Sequence, residues 1–123
     1  MVILAFVAAR DMHSQVVCPV SLTSATAGQD RIQLEFRNVS KLPVEEIGLS
    51  CMPRVNGKTR DAICHDETGI FYPGTESWIQ IGYPNANRHN IVISVTQVRL
   101  AGRVYWHTKP TNSCRALIVS KKR

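Results

Sequence analysis

Ile32-Gln33-Leu34-Glu35-Phe36-Arg37-Asn38 alternates apolar and polar side chains without a break. Successive side chains on a strand point to opposite faces, so Ile32, Leu34 and Phe36 predict a buried face and Gln33, Glu35 and Arg37 a wet one. Asn38 to Pro43 then interrupts the pattern with turn-forming residues. The same period returns in Ile47, Leu49 and Cys51, and again in Ile79, Ile81 and Tyr83 after the turn pair Pro73-Gly74. From Ile91 the inward set is Ile91, Ile93 and Val95, and the phase then changes to Val98 and Leu100, which predicts a bulge near Thr96-Gln97. Ala101-Gly102 turns the chain back into Val104-Tyr105-Trp106, and a last strand is expected over Cys114 to Ser120. Helical periodicity does not persist anywhere along this stretch. The expected fold is all-β, an immunoglobulin-like antiparallel β-sandwich of about 7–9 strands.

The chain has 123 residues, room for one domain and not two. Its composition, 44% hydrophobic and 20% charged, is that of a globular protein with a packed core. Residues 1–15 are expected to be an N-terminal apolar segment and linker, and residues 16–123 the sandwich domain. The formal charge of +6 is spread from Arg10 to Arg123, with Lys121, Lys122 and Arg123 as the one cluster. Such a distribution favours solubility and weak attraction to anionic surfaces. A nucleic-acid partner is not expected, because no basic stripe with interleaved aromatics and no base-reading motif is present.

Cys18, Cys51, Cys64 and Cys114 are even in number and lack the C-x-x-C spacing of zinc ribbons and redox sites. Disulfides, and with them an extracellular or cell-surface location, are the expected use. Three pairings are open in principle. Around Asn56-Gly57 two hairpin registers compete. With Asn56-Gly57 as the two-residue loop, Cys51 faces Ala62 and Cys64 lies one diagonal step away. With Gly57-Lys58 as the loop, Cys51 lies directly opposite Cys64. Either register keeps both sulfurs on one side of the ribbon, which favours Cys51–Cys64 and leaves Cys18 to pair with Cys114. The second bond would staple the two ends of the sandwich and, on a loop-entropy account, be worth around 4 kcal/mol.

From Ile32 to Trp106 the layout resembles the small immunoglobulin-like domains of secreted bacterial proteins, in particular the FxLYD-type group. A strand ending in an asparagine (Ile32 to Asn38) is followed by a short link and Pro43-Val44 leading into the next strand. Phe71-Tyr72-Pro73-Gly74-Thr75 then introduces an apolar strand. The aromatic-Leu-Tyr-Asp signature that names the group is replaced here by Leu49-Ser50-Cys51-Met52-Pro53. The resemblance implies a fold and an extracytoplasmic setting, and no chemistry.

Cys64-His65-Asp66-Glu67 is the densest group of potential metal ligands, with His13, His89 and His107 elsewhere. Neighbours on a strand diverge, so only alternate members such as His65 and Glu67 can share an ion. A polar loop after a disulfide is the expected role, and no metal or cofactor is expected. Glu45-Glu46 likewise should diverge as a solvated face. No Gly-x-Ser-x-Gly elbow and no cysteine expected to stay reduced is present, so an enzyme is not expected. Trp78, Tyr83, Tyr105 and Trp106 are candidates for a sugar- or peptide-binding platform, with core or edge packing the competing use. Asn38-Val39-Ser40 fits the N-glycosylation pattern, which makes Asn38 a candidate acceptor.

Val2-Ile3-Leu4-Ala5-Phe6-Val7-Ala8-Ala9 is uniformly apolar and ends in small residues before Arg10. It resembles the h-region and cleavage site of a secretory signal, without a charged n-region. It is too short to span a bilayer as a helix. A retained apolar segment needs cover on both faces, inside its own sandwich or in that of a neighbouring copy, as in donor-strand complementation. Asp11 to Gln15 would be the linker. Donation of Val2, Ile3, Leu4, Phe6 and Val7 from copy to copy is heterologous and gives an open filament unless it closes a ring. The leading expectation is an extracellular structural subunit that self-assembles head-to-tail into a homopolymer. The alternative is a monomeric secreted binding module, with its N-terminus cleaved, that engages a glycan or envelope component.

Overall fold

The computed structural model describes residues 17–55, 58–59, 63–108 and 114–121. Within them the chain forms nine strands: β1 (Val20–Ala27), β2 (Arg31–Asn38), β3 (Val44–Val55), β4 (Lys58–Thr59), β5 (Ile63–Phe71), β6 (Glu76–Gly82), β7 (Ile91–Leu100), β8 (Val104–His107) and β9 (Leu117–Val119). A single turn of 3-10 helix, Ala86–Arg88, lies between β6 and β7. All pairings are antiparallel. One sheet has the order β1-β2-β6. In the other, β3 and β7 are central, β4 and β5 flank β3, and β8 and β9 flank β7. The chain crosses between the sheets at residues 39–43, at Pro73-Gly74 and through residues 83–90. The result is an all-β two-sheet sandwich.

The alternating strands deliver the core that their period predicts. Ile32, Leu34 and Phe36 of β2 and Ile79 and Ile81 of β6 are buried against Ile47, Leu49 and Cys51 of β3 and Ile91, Ile93, Val95 and Val98 of β7. Phe36 and Phe71 meet edge-to-face with ring centroids 5.1 Å apart, one of the favoured aromatic geometries. The phase change in β7 is a bulge. Gly48 pairs with Gln97 while Leu49 pairs with Val95, which leaves Thr96 as the extra residue. At the β7–β8 turn Gly102 adopts φ of 81°, a left-handed conformation that costs glycine least.

Both disulfides join the partners expected of them. Cys51 in β3 bonds Cys64 in β5 with Cα atoms 5.5 Å apart, and Cys18 bonds Cys114 across 96 residues with Cα atoms 5.0 Å apart. Of the two hairpin registers, the ladder follows the first: Arg54 pairs with Thr59 and Val55 with Lys58. Further along, Ser50 pairs with Ile63 and Leu49 with His65, so Cys64 is the unpaired residue of a bulge, set diagonally from Cys51.

Three expectations need correction, and one strand, β1, has no counterpart among them. Residues 64–67 are not a polar loop but the body of β5, because a continuous ladder to the central strand β3 outweighs the poor strand propensity of Asp and Glu. Residues 20–27 form β1 although Ser, Thr and Ala give almost no polarity contrast there. Tyr83 falls just beyond β6, although its N–H still donates to the Asp30 carbonyl in register with β2. The last strand is confined to Leu117–Val119, while 114–116 run without regular structure to bring Cys114 to Cys18.

Candidate functional site

The aromatic residues expected to form one platform are divided among four environments. Trp106 points inward from β8 and is 6% exposed, its indole Nε1 buried without a partner among the described residues. Tyr83 packs edge-to-face on His89 at 6.5 Å, and burial pushes its hydroxyl above the usual tyrosine range. Tyr105 is 62% exposed on the outer face of the larger sheet, and Trp78 is 58% exposed on the outer face of β1-β2-β6. The two exposed rings therefore lie on opposite sides of the sandwich. A joint platform is excluded by the topology, and each must be judged with its own neighbours.

Trp78 sits opposite Glu35 in the β2–β6 ladder. Gln33 and Arg37 are its diagonal neighbours on β2, and Glu76 and Gln80 flank it on its own strand. Arg37 and Glu76 form an ion pair at 3.5 Å, both half exposed. The strand period places Ser21, Ser24 and Thr26 of β1 on the same face. Trp78 is thus a large apolar surface surrounded by amides, carboxylates, hydroxyls and a guanidinium.

On the opposite face Tyr105 pairs with Arg99. The Arg99 guanidinium meets Glu46 at 3.1 Å and Glu45 at 3.5 Å. The expectation that Glu45 and Glu46 diverge is therefore corrected, because the irregularity between Val44 and Glu46 lets both carboxylates turn to one cation. Beside them Gly48 is closely covered by neighbouring side chains. A Cβ there would lie 2.8 Å from Gln97 Cγ and Thr96 Oγ1 and 3.1 Å from Asp66 Oδ1.

His65 and Glu67, the alternate pair singled out as possible co-ligands, share a face of β5 and bond to each other at 2.7 Å. They lie opposite Leu49 and Ile47, on the core side of the edge strand, and Asp66 lies opposite Gly48 on the outer side. His89 packs against Tyr83, and His13 lies outside the described residues. Among the described residues no group of three or more His, Cys, Asp or Glu side chains gathers.

Asn38, the candidate glycosylation acceptor, is 0% exposed. Its Nδ2 donates to the carbonyls of Leu42 at 2.9 Å and Phe71 at 2.8 Å, and its Oδ1 accepts from the N–H and the hydroxyl of Ser40. Both amide protons are committed and no path to solvent exists, so the folded domain offers no acceptor here. Asn38 instead ties the end of β2 to the residue 39–43 link and to the end of β5. Its backbone carbonyl also accepts from Gly74. The expected donated strand, Val2, Ile3, Leu4, Phe6 and Val7, lies outside the described residues. Among those described, no helix is long and apolar enough to cross a membrane.

No protein-family model matches this sequence, and no curated protein is similar to it. Among solved structures, the chain is similar to the X-ray structure of Northeast Structural Genomics Consortium target SoR45. The two share 11% identity and a TM-score of 0.48, over 83% of this chain and 82% of that one.

Proposed function

We propose that this protein is an exported, non-catalytic recognition module, an immunoglobulin-like sandwich that holds a glycan on the outer face of β1-β2-β6 through Trp78. The supporting observation is the placement of Trp78, 58% exposed on the edge strand β6 of a face that is otherwise polar. An indole left in water forgoes its main stabilising use, whereas a sugar ring has an apolar face to cover it and hydroxyls to meet the polar rim. Gln33, Gln80, Glu35 and the Arg37–Glu76 pair supply donors and acceptors at strand spacing around the ring. Export is supported by the use of all four cysteines in two disulfides. The net charge of +6 adds a general attraction to anionic envelopes.

Glycan-array binding with purified, oxidised protein tests this. Trp78→Ala should lower binding at least about tenfold, the scale of losing one well-buried aromatic contact. Tyr105→Ala, on the opposite face, should leave it unchanged. Absence of glycan binding, or equal losses in the two variants, would overturn the proposal.

A further inference from the structure

Among the described residues the two sheets have four edges, and three carry devices that discourage pairing. β5 turns His65 and Glu67 to its core side and is bulged at two places. β8 is only four residues long. β1 is bulged between Leu22 and Ser24 and runs beside β9, with the Cys18–Cys114 bond at that end. β6 has none of these. It is seven residues long, contains no proline or lysine, and pairs with β2 without a register shift. Its other edge has no strand beside it among the described residues.

The hydrogen-bonding direction of β6 can be fixed. Thr75, just before it, accepts from Asn38 of β2, and Tyr83, just after it, donates to Asp30. Backbone groups on a strand alternate in direction, so the odd-numbered residues between them bond to β2. Glu76, Trp78, Gln80 and Gly82 therefore aim their N–H and C=O groups at the free edge. A regular row of such groups is a template for another strand.

We propose that the β6 edge binds β6 of a second copy, antiparallel about a two-fold axis, to give a continuous six-stranded sheet β1-β2-β6-β6-β2-β1. The sequence of β6 is self-complementary in this placement. With Ile79 on the axis, Glu76 lies opposite Gly82, Ser77 opposite Ile81 and Trp78 opposite Gln80. Every edge-directed residue then meets an edge-directed residue, and inward-facing Ser77, Ile79 and Ile81 meet the same set. Charge agrees: Glu76, the one charged residue of β6, faces glycine rather than its own copy. The outer face of β1-β2-β6 balances Arg31 and Arg37 against Glu35 and Glu76, so the overall charge of +6 is not concentrated at the seam. An interface this narrow falls in the weak class, and micromolar or looser self-association is expected. The inference is independent of glycan binding by Trp78.

Sedimentation velocity of the oxidised full-length chain over a range of concentrations tests it. The mass should rise reversibly from one chain toward two. Gln80→Pro removes an N–H aimed at the free edge and leaves the β2 ladder intact, so this variant should stay at one chain mass while Gln80→Ala still dimerises. Hydrogen exchange on the unmodified protein gives a second readout if Gln80→Pro fails to fold: the Trp78 and Gln80 amides should gain protection as concentration rises. A single chain mass at all concentrations, or a dimer indifferent to Gln80→Pro, overturns the proposal. So does assembly beyond a dimer that is lost both on deleting residues 1–10 and in Gln80→Pro, since the occupant of β6 would then be the apolar N-terminal segment. Concentration-independent protection of the two amides counts against it equally.

Discussion

β5 and β6 are consecutive strands joined by one Pro-Gly turn, and they end up as edges of opposite sheets with opposite treatment. β5 is fastened to β3 by the Cys51–Cys64 bond, bulged, and given the hydrogen-bonded polar pair His65–Glu67 on its core side. β6 pairs with β2 without a register shift, is nearly uncharged, and has no strand on its other side among the described residues. An inward-facing charge can be tolerated at an edge only where no further strand is meant to pair, because pairing would bury it. The difference teaches that burial pattern alone does not tell which edge of a sandwich is closed to partners. Backbone regularity and the side chains aimed at the core must be read together.

The largest effect is expected at the residue that anchors the turn between the two strands. Asn38→Ala should cost about 2–4 kcal/mol, since it strips partners from the Leu42 and Phe71 carbonyls and from Ser40 in a buried site. Asn38→Asp should fall close to it, because a carboxylate cannot donate to those carbonyls. Urea denaturation of the oxidised proteins gives both values. A loss below about 1 kcal/mol, the net worth of a single ordinary hydrogen bond, would mean that the turn holds the strands without the side chain.

A smaller but more diagnostic change follows from making β5 resemble β6. The double variant His65→Val, Glu67→Val should alter stability by less than about 1 kcal/mol, as a partly exposed side-chain pair contributes little. It should, however, increase concentration-dependent light scattering, because an apolar core-side edge invites further strands. If scattering stays at the level of the unmodified protein, the polar pair His65–Glu67 is not what closes that edge.

The smallest effect concerns the exit from β6. Burial raises the Tyr83 hydroxyl, so above the ordinary tyrosine value the unfolded chain releases its proton while the folded chain retains it. The stability linked to Tyr83 is therefore complete below about pH 10 and lost as pH rises through the folded value. Tyr83→Phe should flatten that alkaline decline, measured as denaturation midpoint against pH. An unchanged slope would place the hydroxyl in solvent.

The strands that alternate cleanly, β2, β3, β6 and β7, were legible because each has one apolar and one polar face, and the bulge at Thr96 was legible as a slip in phase. β5 was not, because charged residues on its core side erase the alternation by which a strand announces itself. β1 was hidden by small hydroxylated residues that suit either face. For the site, alternation separates inward Trp106 from outward Tyr105 but cannot say to which sheet an outward residue belongs, so the separation of Trp78 from Tyr105 had no local signal. Asn38 matched a surface modification pattern, whereas its burial depends on carbonyls 4 and 33 residues away.

The Cys18–Cys114 bond has a mechanical consequence. Residues 19–113 form a closed ring, and the chain enters and leaves that ring at one covalent point. Tension applied before Cys18 and after Val119 passes through the sulfur pair once the short β9–β7 ladder has parted, and the eight strands inside the ring bear none of it. The sheet β1-β2-β6, which carries Trp78, lies wholly inside the ring and is insulated from such a pull.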